Sequence, residues 1–407
     1  MQYKNVKATY LGAFSIYFLW LACVFDPVGR FFAFKFISIG LVFVYSAARF
    51  ALSGLPKVID NSFLFVLSLF CFILPIYGLT LSAFNGGIND SVFIDTSYMS
   101  SAVYIACALL YIIPVYYHVA CRALVLSLSC LCFVIWSGFF LLLLDCDFGF
   151  LDFFVANGTA YIGRRNYGGV FFYYIYFVAS PMLIFLLCKQ CWDYYNEKTF
   201  ARFAIVLCVM GALFLSGTRA SIIVSIVTPL VVWLWTKYGV RSILIWLFIL
   251  IMCVPALGLL DLALVSHMFS SGEESNSMKL AYLSTYLHLF AQPETFWFGQ
   301  GFNAHTWSEP VFNMLPEGAS KTELTYFEML RVFGVLGLAA FACVVFNLTS
   351  STKVVCSHYP WVAPAVFLYT LVSFINPYIF SSNGMLVIGF AAGACLHIKC
   401  QEIKGVT

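Results

Sequence analysis

The sequence predicts an all-α, polytopic membrane protein of about twelve transmembrane helices with one large extramembrane loop. Three observations carry this. Apolar residues make up 62% of the chain and charged ones 10%, against about 25% charged in a soluble globule. The apolar residues form continuous runs of near span length, unlike the roughly ten-residue alternating strands of a membrane barrel. One long polar stretch, 261–330, interrupts them.

Taken in order, the runs fall at 9–25, 33–52, 62–83, 98–116, 123–144, 168–188, 200–216, 219–236, 242–260, 332–349, 360–380 and 384–399. The chain thus divides into a first membrane part (1–260), the loop (261–330), and a last membrane part with its tail (331–407). Lys4 and Lys7 precede the first run without a small-residue cleavage site, so it reads as a retained span. Orientation follows the basic residues. With both termini cytoplasmic, Arg49, Lys57, Arg122, Lys189, Lys198, Arg202, Lys237, Arg241, Lys353, Lys399 and Lys404 fall inside. Asp90, Asp95, Asp145, Asp147 and the long loop fall outside.

The exceptions are informative. Arg30, Lys35, Arg164, Arg165, Arg219, Lys279, Lys321 and Arg331 all fall on the outer side, several at the starts of helices. A helix dipole opposes a cation there by about 0.3–1 kcal/mol, whereas an anion is favoured by free N–H groups and a nearby guanidinium together. Gathered cations at outward helix starts therefore suit a phosphate or pyrophosphate. The alternative is that each snorkels to lipid headgroups or pairs with a loop carboxylate.

Local motifs sharpen this. Ser216-Gly217-Thr218-Arg219 is a tight turn in which Gly217 permits the reversal and Ser216 or Thr218 caps the next helix. Gly163-Arg164-Arg165-Asn166-Tyr167 sets cations beside aromatic rings that either stack on a sugar or form an interfacial belt. Phe298-Gly299-Gln300-Gly301-Phe302 lacks the strand and third glycine of a dinucleotide site, and is either a ligand-approaching turn or a plain one. His305 follows it as a candidate catalytic or structural histidine. In Lys321-Thr322-Glu323 through Glu328 and Arg331, Glu328 and Arg331 have ion-pair spacing, while Glu323 lies off that face and is available as a base. Gly334 and Gly337 suit a close helix contact. Asn376-Pro377 stops or kinks the eleventh span.

Other classes are poorly served. There is no basic stripe for nucleic acid. The 15 cysteines lie mostly in apolar runs, so no disulfide framework is signalled, and Cys188-x-x-Cys191 lacks the second pair a zinc site needs. No cofactor and no metal are expected.

In order, Phe25-Asp26-Pro27-Val28-Gly29-Arg30, GRRNYGG, SGTRAS, FGQGF, KTELTYFEML with GVLG, and INPYIFSSNGM resemble the Wzy-type O-antigen polymerases, part of the O-antigen polymerase/ligase superfamily. The resemblance runs from first span to last. It implies a GT-C-like inner-membrane glycosyltransferase, independent of nucleotide and metal, that joins undecaprenyl-pyrophosphate-linked repeat units into O-polysaccharide for lipopolysaccharide. It also implies membrane lipid, a chain-length regulator and a repeat-unit flippase as partners. Its periplasmic arginines match Arg164 or Arg165 and Arg219, and its basic loop positions match Lys279 and Lys321, lysines here. These five are the pyrophosphate candidates. Glu323, and after it Glu328, is the candidate base, with Arg30, His305 and Arg331 as further candidates. A ligase would carry a His followed by Asn where this chain has Glu323 and Glu328, which favours polymerase. A flippase would be expected to show inverted repeats and midplane polar groups, and neither is visible.

Overall fold

The computed structural model describes residues 10–30, 33–53, 61–88, 101–111, 114–144, 149–167, 170–239, 241, 274–315, 321–350, 359–374 and 376–403. Among them, five helices are long and apolar enough to cross a membrane: Phe34–Leu52, Leu64–Phe84, Tyr116–Leu143, Arg219–Tyr238 and Thr325–Thr349.

The first three expected runs appear as α1 (Tyr10–Phe25), α2 (Phe34–Ser53), α3 (Asn61–Ser68) and α4 (Leu74–Phe84). A π turn over Leu69–Ile73 joins the last two. Pro75 has no N–H for the ladder, and the Leu74 N–H reaches back to the Leu69 carbonyl. The next two runs become α5 (Ser101–Tyr111) and α6 (Pro114–Leu143), the latter starting well before the expected 123.

The sixth run departs from expectation. After α7 (Gly149–Ala156), strand β1 (Ala160–Tyr167) pairs antiparallel with β2 (Val170–Phe177), and helix resumes only in α8 (Leu183–Asn196). Every residue from Val170 to Phe177 is aromatic or β-branched, the composition that favours pleated backbone. The run 168–188 is therefore split between strand and helix, and the chain is mainly rather than wholly helical. Tyr161 stands opposite Tyr176 and Gly163 opposite Tyr174, while Ile175 and Phe177 on the other face are fully buried.

Next, α9 (Phe200–Leu215) and α10 (Arg219–Tyr238) form where expected. Thr199 and Thr218 cap them by accepting the N–H of Arg202 and Ser221. The ninth expected span, 242–260, lies outside the described residues. The loop folds into α11 (Glu274–Phe290), α12 (Pro293–Phe298) and α13 (Glu309–Met314) around its own small core of Tyr282, Tyr286, Leu289, Ala304, Val311 and Leu324. The chain returns through α14 (Thr325–Ser350), α15 (Val362–Val372) and α16 (Ser382–Ile403). Gly389 and Gly393 let α16 lie against Cys107 and Tyr111 of α5, where an added Cβ would meet those side chains at 2.9 and 2.6 Å.

Two sequence motifs prove to be one joint. Gly334, expected at a close helix contact, instead breaks α14 with φ +66. The break releases the carbonyls of Arg331 and Val332, which accept the N–H groups of Gln300 and Gly301 at 2.6 and 3.0 Å. On its other side the glycine pair rests on α4: the Ser82 hydroxyl donates to the Phe302 carbonyl at 2.8 Å. A Cβ on Gly301 would stand 2.6 Å from the Ser82 nitrogen. FGQGF is thus an inlay between two helices, and its glycines serve backbone approach.

Candidate active site: a cationic cavity at one end of the bundle

A cavity of about 1180 Å³ opens where the starts of α2, α10 and α16 meet the ends of α1, α9 and α15. The hairpin and the segment 321–323 complete its wall. An alternating up-and-down bundle brings such starts and ends to a single side, so all six termini share one end. Of the described basic residues expected on the opposite side, Lys189 and Arg202 pair with Asp193 at 2.5 and 3.4 Å, where α8 hands over to α9.

Lys35, Arg219, Lys279 and Lys321 line the cavity, against Glu323 as its carboxylate. Among the described residues, four basic side chains against one acidic one make the lining cationic. Arg219 is the first residue of α10, directed by the Thr218 cap. Lys35 sits one residue into α2 and donates to the Pro27 carbonyl at 2.8 Å, leaving further ammonium protons for another partner. Lys279, from α11, meets Glu323 at 3.2 Å, and Glu323 remains more than half exposed.

Aromatic rings share the wall with the cations. Tyr161, Tyr174, Tyr176 and Tyr378 reach the cavity, and the Tyr176 hydroxyl donates to that of Tyr378 at 3.1 Å. Burial above all pushes the Tyr176 phenol up to about 12; the bond to Tyr378 opposes that shift, and nearby Glu323 adds to it. Tyr378 is raised as well, again mainly by burial. Both therefore stay protonated at neutral pH and act as hydrogen-bond donors rather than bases. Tyr174 ties the two arginine-bearing motifs together. Its ring covers Gly163, where a Cβ would stand 2.5 Å away, and its Cβ abuts Gly217, which turns at φ +71.

Of the residues singled out in sequence, Arg219, Lys279, Lys321 and Glu323 come together here. Others do not. Arg164 has the strand parity of Ile162, opposite to Tyr161; it is exposed, with its guanidinium 5.5 Å from the Tyr173 ring centre. The Arg165 side chain lies outside the described residues. Arg30 leans on Gly158, within 3.1 Å of where a Cβ would be. His305 sits in a short 3-10 turn, Ala304–Thr306, away from the cavity lining. Glu328 and Arg331 form a buried ion pair, each about 1% exposed. The Tyr286 hydroxyl donates to Glu328 at 2.5 Å, and the Arg331 Nε does so at 3.1 Å. This pair staples the loop to α14, so neither is placed to meet substrate, which corrects the reading of Glu328 as a second base. The tyrosines Tyr174 and Tyr176 were not anticipated as site residues. Lys35 stood out only as one of the cations on the unexpected side.

Fold and site together define a mainly helical protein of membrane-spanning composition with a polycationic, tyrosine-walled cavity at one bundle end. No protein-family model, curated protein or solved structure matches the chain.

Proposed function

We propose that this chain is a membrane-embedded glycosyltransferase that joins saccharide units carried on polyprenyl pyrophosphate, of the O-antigen polymerase type. The observation that carries the reading is convergence: Arg219, Lys279 and Lys321, distant in sequence, line one cavity together with Lys35 and Glu323. The leaving group of such a reaction is a pyrophosphate, whose departure needs its negative charge stabilised. Four cations and the starts of three helices supply that. The acceptor sugar hydroxyl attacks the anomeric carbon, the bond from that carbon to pyrophosphate oxygen breaks, and its electron pair leaves with the pyrophosphate. The hydroxyl proton passes to Glu323, the carboxylate of the cavity. The tyrosine wall offers faces for sugar rings and phenol donors for their hydroxyls. A cavity of about 1180 Å³ exceeds the roughly 300–1,000 Å³ of an ordinary small-molecule pocket, giving room for two lipid-linked head groups.

In this reading the cavity end faces the periplasm from the inner membrane, and undecaprenyl pyrophosphate is the carrier. The test is a strain lacking the gene. Loss of a polymerase leaves lipid A core bearing a single repeat unit. Uncapped core with polymer retained on the carrier would instead identify a ligase, and repeat units stranded in the cytoplasm a flippase; either result overturns the proposal.

A further inference from the structure

We infer that Lys279 and Glu323 form a latch that the pyrophosphate-bearing donor opens, so that the base is released only once a donor is in place. This rests on the glycosyl-transfer reading above and adds an order of events to it. The two side chains meet at 3.2 Å across the cavity wall, Lys279 from α11 and Glu323 from the segment before α14. Both line the same cavity as Arg219 and Lys321. The pair therefore joins a carboxylate and a cation that both line the site.

An ammonium has no planar fork to hold a carboxylate in two-point contact, and a pair this open to water is weak, worth about 0–1 kcal/mol. A diphosphate carries more negative charge than Glu323 and is also drawn by Lys35, Arg219 and Lys321. It therefore outcompetes the carboxylate for Lys279. Glu323 then loses its cation partner, and its carboxylate is free to accept the proton of the acceptor hydroxyl. The acceptor hydroxyl supplies that proton as its oxygen bonds to the anomeric carbon and the pyrophosphate departs. Without a donor, the Glu323 carboxylate stays paired with Lys279.

One hydrogen bond anchors the latch from behind. Tyr286, seven residues after Lys279 on the same face of α11, shares a 2.6 Å hydrogen bond with Thr322, the residue before Glu323. The backbone on both sides of the latch is therefore held, leaving the ion pair itself as the part that opens.

The test uses the full chain in lipid nanodiscs, with farnesyl diphosphate as the probe and calorimetric titration as the readout. Competition predicts that Glu323→Gln binds the probe about threefold to fivefold tighter than wild type, the range an exposed ion pair allows. Lys279→Ala should bind it more weakly. In the Lys279→Ala background, adding Glu323→Gln should bring no further gain, because the carboxylate acts through the lysine. Unchanged or weaker binding by Glu323→Gln overturns the latch while leaving the glycosyl-transfer reading intact. A gain that persists without Lys279 overturns it too, since plain charge repulsion would then suffice. If the wild type binds no diphosphate, both fall.

Discussion

Arg219 begins α10 where a helix dipole disfavours it by about 0.3–1 kcal/mol, and it lines the cationic cavity. Arg219→Ala should lower chain extension by roughly 100-fold, the scale of losing one donor to a developing anion. Arg164→Ala, on the opposite strand face, should leave ladder lengths close to wild type; both are read on gels of extracted lipopolysaccharide. The contrast shows what sequence could reveal at this scale. Arg219, Lys279 and Lys321 stood out in the distribution of Lys and Arg, and they line one cavity. Which of Arg164 and its neighbours meets the cavity depends on strand parity, and a segment read as lying before a span has none. Glu328 and Arg331 serve stability: Arg331→Met should cost about 3–5 kcal/mol by stranding a buried carboxylate, seen as early thermal unfolding in detergent. Tyr176 adds a pH signature. Its folded pKa lies above its unfolded one, so its contribution is full below about pH 10 and is lost as pH rises through about 12. Thermal melts of Tyr176→Phe should lack that part of the alkaline decline, about 3 kcal/mol in all.

Among the elements, the hairpin and the broken α14 were least legible. Apolar length marks a span only when the segment is helical; the aromatic run from Val170 to Phe177 satisfies the length rule but folds as a strand. α1, α2, α9, α10 and α16 were legible because their runs are bounded by polar turns and caps. The FGQGF inlay could not be read from its own residues, since its partners are the carbonyls freed by Gly334 and the flank of α4, far away in sequence. Gly334→Ala tests the joint. A Cβ there would run into the Trp297 carbonyl at a backbone angle alanine resists, so the loop should come away from α14. Limited proteolysis should then cut near residue 300 at least several-fold faster than in wild type.

For the molecule as a whole, helix ends of matching sense collect around one cavity, and the Lys189–Asp193–Arg202 ion pairs lie where α8 meets α9. The sequence expects alternating spans and a basic inner side, which topology fusions test. The side of the membrane each end faces is a matter for experiment. Alkaline phosphatase fused after Lys321 should be active in the periplasm, and the same enzyme fused after Lys198 should not. The reverse pattern would put the cavity on the cytoplasmic side and remove the case for polymerising exported units.

The seat of Tyr174 between two glycines makes a genetic forecast. Gly163→Ala clashes only with the far end of that ring, so revertant selection should return shorter residues at 174. Gly217→Ala, whose clash is with the Tyr174 Cβ and whose φ is +71, should yield no such intragenic suppressors. The two lesions would look alike in phenotype and differ in whether they can be rescued.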